Sequence, residues 1–160
     1  MNLTPDHNAV GARKTAAVRI ALFCGIMYLV AGLVFGELAG RAASVPMRLA
    51  WRWAAWAVSG ALFGAHILYE QIRLRNSPKI AARHVATGAA LGAFGLAAAA
   101  NVHAYVASAQ EHALMLRLSL AIWPVMIALP AFVVALVAAL TLSWVRRSAR
   151  LHTPALPDER

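Results

Sequence analysis

The sequence predicts an all-α protein, an integral membrane bundle of four transmembrane helices. Three observations carry that reading. The 160 residues are 61% hydrophobic and only 13% charged, with a mean hydropathy of +0.64. A soluble domain averages about 45–50% apolar and 25% charged residues, so this chain has too little polar surface to face water all round. The runs Trp53 to Tyr69, Val85 to Gln110 and Leu118 to Val145 contain no Asp, Glu, Lys or Arg, and a helix needs roughly 20 such residues to cross hydrocarbon. Basic residues gather between the runs, where Lys and Arg set topology and meet anionic headgroups. That placement turns the net charge of +9 toward a lipid bilayer as partner and away from nucleic acid.

The first element is expected over residues 19–39, behind a polar tail of residues 1–17 that carries Arg13 and Lys14. Ile20 to Gly36 is uncharged. This exceeds the 7–15 residues of a signal-peptide core, so the segment reads as a retained span. Gly25, Gly32, Gly36, Ala39 and Gly40 fall on a narrow arc at helical spacing. Small residues let helices approach closely in lipid, where hydrophobicity supplies little association. Cys24 is the sole cysteine, which excludes an internal disulfide, and it reads as a small buried apolar residue.

The second element is expected over 51–74, with a helix start at Ser44-Val-Pro46. Trp51, Trp53 and Trp56 suit an interfacial aromatic belt. Gly60 and Gly64 form one close-packing ridge, and Ser59, His66, Glu70 and Arg73 line another face. Asn76-Ser77-Pro78 then makes a tight turn, with Ser77 as N-cap and Pro78 at the first helical position. The third element is expected over 79–106. His84, Gly88, Leu91, Gly95 and Ala99 share one stripe on it. Folding about the turn sets residue 70 level with 83 and residue 66 level with 87.

The fourth element is expected over 117–145, with a capping-box pattern upstream at Ser108-Ala-Gln-Glu111. Pro124 and Pro130 lie inside it and Arg146, Arg147 and Arg150 close it, ahead of a polar tail within 147–160. An arrangement with both termini in the cytoplasm places eleven of the fifteen Lys and Arg residues inside, as the positive-inside rule requires. The wealth of Arg and Ala suggests a GC-rich bacterial gene, hence a multi-pass protein of the bacterial inner membrane.

The best candidate site is His66, Glu70 and His84, an ion, ligand or proton site at the turn end of the bundle. Ionisable groups within spans are costly and commonly mark an ion or proton path. A simpler role for Glu70, at headgroup level, is an ion pair with Arg73 or Arg83. The candidate packing residues are Gly32, Gly36, Gly60, Gly64, Gly88 and Gly95. Glu37, Asn101, His103, Glu111 and His112 could line an outer vestibule. Neither a G-x-S-x-G elbow, a P-loop nor an H-E-x-x-H pair occurs, so no catalytic, cofactor or metal residue is assigned. The expected role is non-enzymatic: a structural or accessory protein, acting as a homo-oligomer or with a membrane-protein partner. A small transporter or channel with a proton- or ion-linked site at His66 and Glu70, and a redox subunit holding haem or quinone, are the alternatives.

Overall fold

The computed structural model describes residues 7–107 and 113–151. Among them are four helices and no strands: α1 (His7–Gly40), α2 (Val45–Ile72), α3 (Pro78–Val106) and α4 (Ala113–Leu151). The protein is an all-α helical bundle. Three of its helices are long and apolar enough to cross a membrane, over Thr15–Gly40, Pro78–Val106 and Leu114–Ser148. The helix α2 is not among them; Arg48, Arg52, His66, Glu70 and Gln71 all lie within its 28 residues. The helices begin before the expected spans, most of all α1, which begins at His7, while α2 ends at Ile72, two residues short of the expected bound. The capping-box residues 108–111, together with His112, lie outside the described residues, as does the tail from residue 152.

The two short connections follow the local chemistry. Ser44 is extended (φ −131°, ψ 154°), its hydroxyl accepts from the Met47 N–H at 3.4 Å, and Pro46 occupies the first turn of α2. Ser77 holds the corresponding place before α3 (φ −62°, ψ 153°), but its hydroxyl makes no capping bond. Between them α2 ends through Arg75, which has φ 50°. A side chain in this left-handed region costs about 1 kcal/mol. In return Asn76 is turned back onto α2, its N–H donating to the Glu70 carbonyl at 3.1 Å. Pro124 and Pro130 stand inside α4, which remains one helix of 39 residues.

The helix α3 is central. It packs along α1 on one side and α4 on the other, while α2 lies mainly on α1 and meets α3 and α4 over a shorter stretch. The interior is made of small residues: Ala17, Ala21, Ala31, Ala81, Ala82, Ala86, Ala93, Ala97, Ala135 and Ala139 are all buried. Large side chains point the other way, with Leu22, Phe23, Phe94, Leu129 and Val133 about half exposed or more. This is the reverse of a water-soluble bundle and fits a surface solvated by lipid. One compact apolar cluster closes the turn end, where Ile67 of α2, Ala82 and Val85 of α3 and Ala135 of α4 meet.

Glycines permit the closest approach, at the α1–α3 seam. A Cβ on Gly92 would lie 2.5 Å from Tyr28 Cβ and 3.1 Å from the Gly25 carbonyl; one on Gly25 would lie 2.9 Å from Leu91 Cβ. Gly32 and Gly95 seat the side chains of Leu96 and Leu29 across the same seam. Gly88 faces both the Ala21 carbonyl and the His66 ring. Gly36, Gly60 and Gly64 have open space where a Cβ would stand.

Candidate functional site

The turn between α2 and α3 assembles the candidate site. Glu70 lies on the last full turn of α2, and the chain reversal brings α3 alongside with residue 84 opposite 70 and residue 88 opposite 66. That register differs by one residue from the one the sequence predicts. His66, Glu70 and His84 do come together. The Glu70 side chain is completely buried, the His66 side chain likewise, and that of His84 is 30% exposed.

Glu70 is not an interfacial partner of arginine. Neither Arg73 nor Arg83 pairs with it, and both are exposed. Its carboxylate instead takes Asn76 Nδ2 at 2.6 Å on Oε2, and His84 Nδ1 lies 3.1 Å from both oxygens. An ionised carboxylate only accepts, so His84 must donate from Nδ1. Asn76 is held at three points, because its carbonyl also accepts Gln71 Nε2 at 3.3 Å. A helix-to-turn clasp of this kind gives a buried carboxylate the donors that burial demands. From α4, Arg146 Nη1 donates to the Gln71 carbonyl at 2.9 Å and ties α4 to the end of α2.

His66 is different. Its Nε2 stands 3.8 Å from Glu70 Oε1, beyond hydrogen-bond length, and neither ring nitrogen has a hydrogen-bond partner. Gly88 of α3 forms a floor beneath the ring, and Cys24 of α1 lies beside it. Tyr28 stands one helical turn beyond Cys24 on α1, and its buried hydroxyl is unpartnered too. Cys24 is buried, as the sequence suggested. Asn76 was legible as a turn residue but not as a partner of Glu70, and Tyr28 was not singled out, although it stands one helical turn from Cys24 inside an apolar span.

The arrangement bears on the chemistry the site can host. The Glu70 carboxylate occupies the space between the two imidazoles, so iron of a haem could not sit between them without displacing it. Among the described residues no three His, Cys, Asp or Glu side chains are placed to hold a metal ion. What the cluster can do is accept, hold and pass protons among two imidazoles and one carboxylate.

The opposite end of the bundle is organised separately. Asn101 Nδ2 donates to the Ala97 carbonyl at 2.8 Å and the Leu116 carbonyl at 2.7 Å, which ties α3 to α4. Glu37 pairs with Arg41 at 2.6 Å on the exposed surface, and His103 is exposed. Glu111 and His112 lie outside the described residues. An open cleft of about 570 Å³ separates α1 from α2 there, lined by Gly36, Gly40, Arg48, Arg52 and Trp56 among others. Comparison with protein-family models, with curated proteins and with solved structures finds no match for this chain.

Proposed function

We propose that the chain is a non-enzymatic protein of a bacterial inner membrane, a structural or accessory subunit that works by associating with a second membrane-embedded chain. In this reading α2 is a fourth span and Trp51, Trp53 and Trp56 anchor it at the interface. Both termini and the turn at Asn76 face the cytoplasm, on the side where eleven of the fifteen basic residues then lie.

The observation that carries the reading is the free ridge on α2. Gly25 and Gly32 on α1 and Gly88, Gly92 and Gly95 on α3 are consumed by packing inside the chain, whereas Gly60 and Gly64 on α2, like Gly36 at the far end of α1, meet nothing within 4 Å. Trp53 and Trp56 nearby are 72% and 75% exposed. Helix association in lipid runs on close approach along such ridges. The partner is either a second copy of the chain or a different membrane protein.

The test is native mass spectrometry of the full chain extracted with its surrounding lipid, compared with a Gly60→Ile, Gly64→Ile double variant. The reading expects a dimer or a stoichiometric partner for the wild type, and a bare monomer of unchanged helicity for the variant. A wild type that is monomeric without a partner, identical to the variant, contradicts it.

A further inference from the structure

We propose that Cys24, Tyr28 and His66 enclose a buried, hydrated proton-binding site, which exchanges protons with the α2–α3 turn through Glu70 and His84. The proposal goes beyond the association role and does not depend on it.

Three buried polar atoms carry it: His66 Nδ1, His66 Nε2 and the Tyr28 hydroxyl, all without hydrogen-bond partners. Polar groups taken out of water and left unpaired cost about 1–3 kcal/mol each, and native proteins satisfy them with one another or with ordered water. The His66 ring lies against Gly88 and the Tyr28 Cβ against Gly92, one turn further along α3, and Cys24 stands one turn before Tyr28 on α1, beside the His66 ring. A packing role accounts for none of them: Phe or Leu at either position fills space without the penalty. The clasp on the turn is already complete with Asn76 and His84, so His66 is not needed to satisfy Glu70 either.

The polar groups also form a line with one open end. His84 is the partly exposed member, Glu70 and His66 are sealed, Cys24 stands beside His66, and Tyr28, against Gly92, lies one turn further from the α2–α3 turn than the His66 ring against Gly88. A proton arriving at His84 Nε2 releases the Nδ1 proton to Glu70 Oε1. The acid then gives its proton to His66 Nε2, leaving a carboxylate and an imidazolium. Only N–H and O–H bonds change, and one proton has moved inward. The 3.8 Å gap between Glu70 Oε1 and His66 Nε2 is closed by a water or a small ring rotation. The groups that face this path are Cys24 and Tyr28 from α1, Glu70 from α2 and His84 from α3. From α4, Arg146 bonds the carbonyl of Gln71, the residue after Glu70.

The experiment is a pH titration of the full chain, labelled with nitrogen-15 histidine, in lipid nanodiscs, with His66 and His84 assigned from His66→Gln and His84→Gln. The ring nitrogens of His66 should titrate between about pH 4 and pH 10 and show exchange with water. In Glu70→Gln their midpoint should move by about 1–3 pH units, the size expected when a neighbouring charge is removed. Cys24→Ala and Tyr28→Phe each delete one polar atom at little cost in packing, so they keep the test valid if Glu70→Gln does not fold. Both should displace the His66 midpoint measurably. A wild-type His66 signal indifferent to pH and sheltered from water overturns the proposal. So does a midpoint that stays fixed in every variant that folds.

Discussion

An alanine at Gly92 tests the packing of the bundle most sharply. Its methyl carbon would stand 2.5 Å from Tyr28 Cβ and 3.1 Å from the Gly25 carbonyl oxygen. Neither neighbour is the free end of a flexible side chain, so relief requires α1 and α3 to move apart. Reaching even the short limit of ordinary contact, 3.4 Å, takes about 0.9 Å of separation. Overpacking of this kind costs about 1–3 kcal/mol, and alanine returns at most ~1 kcal/mol through its better helix propensity. Set against an alanine that gains the same propensity in open space, the expected deficit is about 1–3 kcal/mol, and the net loss relative to wild type is up to about 2 kcal/mol. Gly64→Ala is the matched control: with nothing within 4 Å it should be neutral or gain up to ~1 kcal/mol. Reversible unfolding in mixed micelles, followed by circular dichroism, measures both. A Gly92→Ala protein as stable as Gly64→Ala would refute the reasoning, because the α1–α3 seam would then be no tighter than open space.

Three further outcomes are expected from the same assay. Asn101→Ala removes the bond from α3 to the Leu116 carbonyl and should cost about 0.6 kcal/mol and no more than ~1.7 kcal/mol, the average and the upper limit for hydrogen bonds between membrane helices. Arg75→Gly should be close to neutral, because relief of the left-handed strain at φ 50° is offset by glycine's greater freedom in the unfolded chain. Arg75→Val should lose more than ~1 kcal/mol, since a β-branched residue is a poor fit there. Arg146→Met should lose about 1 kcal/mol with its bond to Gln71, whereas Arg147→Met at an exposed position should stay within about 0.5 kcal/mol.

Helix content and turn positions were legible in the sequence because each rests on short-range chemistry. Apolar run length, Ser44 with Pro46 and Ser77 with Pro78 marked elements that the structure places where expected. The register across the turn was legible to within one residue, since a tight antiparallel hairpin leaves almost no other choice. The surroundings of Glu70 were not legible. Its nearest arginines in sequence point outward, and the donors it uses are a turn asparagine and a histidine on the next helix. Asn76 reaches it only because Arg75 takes a left-handed conformation, which nothing in the residue type announces. The glycines divide for a related reason. Gly36, Gly60 and Gly64 share a spacing with Gly32, Gly88 and Gly95, but which ridge meets a partner depends on how α1, α2 and α3 sit side by side. The proximity of Cys24 to His66 was not legible, because the two residues belong to different helices.

The central claim is that these helices lie in hydrocarbon and that α2 crosses it as well, so that the two loops flanking α2 lie on opposite sides of the membrane. Single cysteines at Ala43 and Arg75, placed in a Cys24→Ala background and probed with a membrane-impermeant maleimide on intact cells, test this directly. The account predicts that Ala43→Cys is labelled from outside and that Arg75→Cys is labelled only after the membrane is opened. Labelling of both positions from the same side would contradict it.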